Sequence, residues 1–394
     1  MRSLTRSPII LLVLLFLRHL CFLSFSVHAQ ETAPPAQATP AAQSAPANNA
    51  PSPVAPVPGD SARIASSPDA NHRISIDVVV TDKSGNPVPG LQQQDFTLLD
   101  GKQPQPILSF HATEASSKDA EPVQVIFLLD GVNIGVQSVG VARTQLENFL
   151  RKDGGKLELP TSLALFTDTS TQFQPTPTRD GNGLVQSLEA NPTGLRSIGR
   201  STGFYGATER LDLSLRTLEG IIAREIKQPG RKLLVWISPG WPLLTGPGIQ
   251  LTVKDQTWMF NAIVSFSKEM RDARMTLYSI DPLSMSDAVT GRTTYWQGFV
   301  KGVPAAKKVE GGNLALQVLA TQSGGRVLNS SNDLTSLIAS CMVDAKAYYT
   351  LSFEAPPADH PDEFHSLEVK IDKPGLTART RTGYYAQPYP NPGR

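Results

Sequence analysis

Cysteine is nearly absent from this chain of 394 residues, which has only two. That excludes a disulfide framework and a cysteine zinc site. Six histidines leave little material for histidine metal centres. Neither sign of charge dominates, with 36 basic against 35 acidic residues. A nucleic-acid binder would show a basic stripe, so that class is set aside. Charged residues make up 18% while prolines number 32, the pairing of a proline-rich linker with a folded part. Roughly 20 continuous apolar residues are needed to span a bilayer, and Arg18 and His19 interrupt the one long apolar run.

That run belongs to a secretory signal. Arg2 and Arg6 make a basic start, residues 8–17 are almost wholly apolar, and Val27-His28-Ala29 puts small residues at −3 and −1 of a cleavage site. Residues 1–29 are read as the signal, cleaved after Ala29. Leu20 before Cys21 does not fit a lipoprotein site, which needs a small residue there. The mature chain keeps 33 basic and 35 acidic residues, a net charge of −2, with Cys341 its sole cysteine. The expectation is an exported protein, periplasmic or extracellular, with no transmembrane segment after cleavage. Residues 30–71 are rich in Pro and Ala and have almost no large apolar side chains, so they cannot offset the entropy of ordering and read as a disordered linker.

Ordered patterns follow. Ile74, Ile76, Val78 and Val80 alternate as in a half-buried strand, and residues 96–99 and 107–110 read as two more. This stretch, 72–115, is too short for a core of its own. From 121 the pattern changes. Val125-Ile126-Phe127-Leu128-Leu129 is continuously apolar, as a strand covered on both faces must be. Strands and helices then alternate to about 345, which predicts a doubly wound α/β domain with a mainly parallel sheet. Residues 346–387 return to β alternation. The two β pieces are expected to pair into one discontinuous β-sandwich flanking the α/β domain.

Several short motifs fall in order along this frame: Val78-Val79-Val80-Thr81-Asp82, Val88-Pro89-Gly90-Leu91, Phe127-Leu128-Leu129-Asp130, Ser238-Pro239-Gly240, Tyr278-Ser279-Ile280-Asp281, Ser323-Gly324-Gly325-Arg326, Tyr348-Tyr349-Thr350-Leu351 and Gly383-Tyr384-Tyr385. With these the chain resembles a von Willebrand factor type A (VWA) domain, and more narrowly the VWFA-related proteins abundant in Acidobacteria. The resemblance runs from about residue 74 to 385. It implies a non-catalytic binding or adhesion module that meets a protein or envelope component. It also implies a divalent-cation site at the carboxyl ends of the strands, with the pattern Asp-x-Ser-x-Ser, a Thr in a second loop and an Asp in a third.

Here that pattern is incomplete. Asp130 keeps the first position, but Val132 and Ile134 replace the two serines and Pro239 stands at the third-loop Asp. Asn133 offers an amide oxygen nearby, and Thr202 matches the threonine loop. Asp130, Asn133 and Thr202 are therefore the candidate ligands of a degenerate site that would hold Mg²⁺ only weakly. Asp168 or Asp281 could complete it from neighbouring loops. The other role open to Asp130 and Thr202 is to cap the helices that follow them.

Three further features stand out. Gly199-Arg200-Ser201-Thr202-Gly203 matches Gly-x-Ser-x-Gly, which would make Ser201 the nucleophile of a serine hydrolase. Such an elbow needs a buried strand before it, and residues 191–198 are polar, with Pro and Gly. His360 and His365 lie in the β tail. The hydrolase is thus the alternative, and the non-catalytic module the first reading. Trp241 and Leu243, in an apolar loop beyond the strand at 232–238, are either a partner anchor or a local cover on the sheet. Cys341, on the apolar stripe of its helix, is expected to be a buried, inert thiol.

Overall fold

The structure, a computed structural model, describes residues 72–114, 121–190, 204–242, 250–282 and 294–389. The signal and linker, together with Ser201, Thr202 and Leu243, lie outside them. Four strands come first: β1 (Arg73–Thr81), β2 (Phe96–Asp100), β3 (Gln103–Gln105) and β4 (Ser109–Glu114). An alternating series follows: β5 (Val123–Asp130), α1 (Val136–Arg151), β6 (Lys156–Phe166), β7 (Thr171–Phe173), β8 (Thr178–Asp180), α2 (Gly181–Glu189), α3 (Phe204–Glu225), β9 (Arg231–Ile237), α4 (Val253–Asp272), β10 (Met275–Ile280), α5 (Leu316–Gln322), β11 (Val327–Leu328) and α6 (Leu334–Met342). The last strands are β12 (Ala347–Glu354), β13 (Glu363–Ile371), β14 (Thr377–Arg379) and β15 (Gly383–Ala386).

The fold is mixed α/β, with one mainly parallel sheet and two antiparallel ones. The large sheet runs β11-β10-β9-β5-β6-β7, with β8 also paired to β6. Strands β11, β10, β9, β5 and β6 are parallel, while β7 is antiparallel to β6. Numbered along the chain from β5, with β8 left aside, the order is 3-2-1-4-5-6. Its direction reverses between β5 and β9, and in open α/β sheets the crevice outside the carboxyl ends at such a switch point receives ligands.

The continuous apolar run of β5 is explained by burial on both faces. Ile126 and Leu128 join Leu211, Leu215 and Leu218 of α3 and Met259, Ile263 and Phe266 of α4. Val125, Phe127 and Leu129 face the other way, toward Ala142 and Leu146 of α1, Leu184 of α2 and Leu337 of α6. A period of 2 in each strand thus feeds two separate cores.

The flanking strands form two four-stranded antiparallel sheets, β14-β1-β12-β4 and β15-β13-β2-β3. Ile76 lies opposite Leu351, and Leu98 opposite Val369. Ile74, Ile76, Val78 and Val80 meet Leu98, Leu351, Phe353 and Tyr384 in a third core. The opposite face of this first sheet is used too, because Val79 and Tyr348 pack into the α/β core. Tyr349 pins the connection after β1. Its ring stands 4.9 Å from that of Phe96, while its hydroxyl accepts from Leu91 N–H at 3.1 Å and donates to Val88 carbonyl at 2.6 Å.

Some elements differ from the sequence expectation. The strand expected over 107–110 begins at Ser109 and runs to Glu114, because its pairing with β12 sets its limits. β8 and α2 were not anticipated. Polar residues dominate β8, and α2 is a short helix capped by Asp180, whose carboxylate accepts from Gly183 N–H at 3.0 Å.

Two substitutions should separate packing from pinning. Leu351→Ala should cost about 2–5 kcal/mol through a cavity in the sandwich. Tyr349→Phe should cost less, about 1–3 kcal/mol, by leaving Leu91 N–H unpaired. Urea unfolding of the two variants reads the difference.

Candidate functional site

The crevice at the β5–β9 switch point is built around one carboxylate. Asp130 ends β5 and is fully buried. Its Oδ1 accepts from the backbone N–H groups of Val132 at 2.9 Å and Asn133 at 2.8 Å. Its Oδ2 accepts from the Asn133 side-chain amide at 2.9 Å and from the indole N–H of Trp236, on β9, at 3.0 Å. Burial pushes the pKa of Asp130 up, and the hydrogen bonds from Asn133 and Trp236 pull against it.

Each donor is placed by its own element. Val132 and Asn133 belong to the tight turn after β5, where Gly131 N–H donates to Phe166 carbonyl at 2.8 Å. Asn133 spans two elements, because its amide nitrogen also donates to Ser214 Oγ on α3 at 2.9 Å. Ser214 in turn donates to Arg210 carbonyl at 2.7 Å. Trp236 is held edge-on by Phe166 at 6.0 Å and Trp241 at 4.9 Å. Val132 and Ile134 are both buried, and Val132 belongs to the core shared with α3 and α4.

This donor set does not suit a cation. A divalent ion needs oxygen lone pairs directed at it, and here both oxygens of Asp130 accept from N–H donors. Asn133 turns its nitrogen, not its oxygen, to Asp130. Among the described residues no three of His, Cys, Asp or Glu stand close enough together to hold a metal ion, so neither Asp168 nor Asp281 builds a three-carboxylate site with Asp130. Asp130 also does not cap α1. That helix starts at Gly135 with no side-chain cap, and Asp130 instead closes the turn before it.

Trp241 is a cover, not an exposed anchor. It is 3% exposed, and its indole N–H donates to Leu314 carbonyl. The loop that carries it is clamped: Gln317 of α5 donates to Pro239 carbonyl at 2.9 Å, and Gly240 adopts φ +100°, where an added Cβ would lie 2.5 Å from the Gln317 amide nitrogen. His365 sits on β13 and hydrogen-bonds Asp100 at 3.0 Å, and Tyr384 donates to the same carboxylate at 2.6 Å. His360 bonds the carbonyl of Pro361. Cys341 is buried, and burial pushes its thiol well above the ordinary range.

Trp236 and Ser214 were missed by sequence reasoning. Trp236 was legible only as an apolar residue of a buried strand. Its position two residues before Ser238, hence on the same face, is the one local hint that both point at the crevice.

No protein-family model matches the chain. No curated protein matches it. Among solved structures it is similar to the human COPII-coat protein Sec24c, with 8% identity and a TM-score of 0.31, covering 71% of this chain and 46% of that one. It is also similar to the pilus adhesin SpaC from Lactobacillus rhamnosus GG in its open conformation, with 9% identity and a TM-score of 0.37, covering 76% and 49%. The chain spans about half the length of both. Likeness at this level says nothing of what this chain binds.

Asp130→Ala should leave the Trp236 indole, the Asn133 amide and two backbone N–H groups without their acceptor. A loss on the order of 3 kcal/mol is expected. The pH dependence has a definite sign. With its folded pKa raised by burial, Asp130 contributes most to stability below its unfolded pKa and loses that contribution as pH rises through the folded value. The stability gap between wild type and Asp130→Ala should therefore narrow from about pH 4 toward pH 7. Denaturant titrations across that range measure it, and a gap that widens would show an ordinary paired carboxylate.

Proposed function

We propose that the chain is an exported, non-catalytic binding module with a VWA-like fold, whose cation site has become an internal hydrogen-bond knot and which meets a protein partner of the cell envelope without a metal. The observation that carries this reading is the occupation of both oxygens of the Asp130 carboxylate at the switch point by four N–H donors. The sheet order and the place of Asp130 at the end of the first parallel strand support the VWA-like assignment. Export rests on the signal-like sequence of residues 1–29. No helix among the described residues is long and apolar enough to cross a membrane.

With Trp241 buried, another apolar group must serve as anchor. Trp258 is 50% exposed and Val253 80% exposed on the first turns of α4. α4 leads from β9 to β10, so its amino end lies at the carboxyl edge of the sheet, the same edge as the Asp130 crevice. Exposed aromatic side chains at such an edge suit the centre of a protein interface.

Capture of partners from envelope extract by the mature chain should be the same with Mg²⁺ or EDTA, and Trp258→Ala should reduce it at least about tenfold, the size of an aromatic hot spot. Loss of capture in EDTA would refute metal-independent binding. Undiminished capture by Trp258→Ala would move the anchor elsewhere.

A further inference from the structure

A cavity lies where β1 and β14 of the antiparallel sheets meet α4 and β10. It measures about 440 Å³, within the roughly 300–1,000 Å³ of small-ligand sites. β1, the carboxyl end of α4, the start of β10 and the segment after β14 form its walls. Six arginines and one lysine line it against two carboxylates, Asp77 and Asp272.

Those two carboxylates are already shared. Asp77 pairs with Arg274 at 2.7 Å and lies 3.6 Å from Arg231. Asp272 takes Lys268 at 2.6 Å and Arg271 at 3.4 Å. Arg379 is held by Asp344 from outside the cavity at 2.5 Å. Arg381 has no such partner. It is 6% exposed, lines the cavity, and donates once, to the carbonyl of Ser267 at 3.0 Å. Among the described residues it forms no ion pair. A buried, unpaired guanidinium is costly, and burial, with Arg271 close by, brings its pKa down to about 9. Its remaining donors form the planar fork that grips tetrahedral oxyanions in a bidentate manner. Arg73, exposed and bound among the described residues only to Ser352 Oγ at 3.1 Å, adds a cation to the lining.

We propose that this cavity binds a small phosphorylated molecule, with Arg381 at its floor as the charge partner of a phosphate group and Arg271 assisting. The volume exceeds what a bare ion needs and leaves room for the organic part of a phosphate or diphosphate ester. This site is independent of the Asp130 crevice, so it stands or falls apart from the protein-binding role.

Isothermal titration calorimetry of the mature chain with pyrophosphate, beside inorganic phosphate, sulfate and chloride at matched ionic strength, tests the assignment. Saturable binding of pyrophosphate is expected, weakened about ten- to a hundredfold in Arg381→Met, as loss of a charge-assisted pair implies. Without anion, Arg381→Met should melt at or above the wild-type temperature, because it removes an uncompensated buried charge. Should that variant not fold, Arg271→Gln serves in its place, with weaker binding again expected. No saturable binding would overturn the proposal. So would affinity unchanged in both variants, or a stabilisation that sulfate reproduces equally in wild type and variant, which is the general effect of excluded salts.

Discussion

The central strand ends in a carboxylate that has nowhere to go. β5 is buried on both faces, so Asp130 leaves the sheet inside the protein with its charge in a low-dielectric setting. An isolated buried carboxylate is too costly to persist ionised. Its surroundings answer that constraint: a turn that aims two backbone N–H groups at one oxygen, and an indole and an amide that reach the other. The placement of Trp236, the link from Asn133 to α3 through Ser214, and the edge-on packing of Trp241 all follow from it. The place where a sheet of this order receives ligands is thereby occupied from within.

A second constraint is chain connectivity. The two antiparallel sheets are assembled from segments more than two hundred residues apart in sequence, so the α/β stretch between them is held at both ends. The joint is polar as well as apolar. Arg231 opens β9 beneath the ring of Tyr348 at 4.6 Å and donates to Asp344 carbonyl at 2.9 Å. Tyr278 donates to Asp344 Oδ2 at 2.7 Å, and Arg274 joins Asp77 of β1 to Glu121 before β5. Buried networks of this kind fix orientation more than they add stability. They also gather more arginines than carboxylates at one seam, which is how a cavity with an unpaired Arg381 comes about.

Strands and helices were legible wherever a single period ran long enough. The alternation from Ile74 to Val80 and the unbroken run from Val125 to Leu129 each report a burial state directly, and the stripe Leu211, Leu215, Leu218 does so for α3. What failed was short and polar: β8, and α2 with its brief apolar stripe. The position of Asp130 was legible from the end of its strand. Its chemistry was not, because the indole donor comes from Trp236 on β9, 106 residues away, the Asn133 amide is set by an acceptor on α3, Ser214, and the orientation of an Asn amide or an indole leaves no trace in sequence spacing. The same holds for Trp241, whose apolar loop reads alike whether it faces solvent or folds back on the sheet. Arg381 is the plainest case, since nothing local distinguishes a surface arginine from one sealed beneath α4.

Asp130 serves as a hydrogen-bond acceptor for the protein itself, with both oxygens bonded by N–H groups. The indole N–H of Trp236 reports on that directly, because it donates to the oxygen a metal would need. In a ¹H–¹⁵N spectrum of the mature chain, titrated with Mg²⁺ and then with paramagnetic Mn²⁺, the Trp236 indole resonance, assigned through Trp236→Phe, should neither shift nor broaden beyond the other tryptophans. Selective broadening of that resonance by Mn²⁺, abolished in Asp130→Ala, would place a cation beside Asp130 and contradict the account.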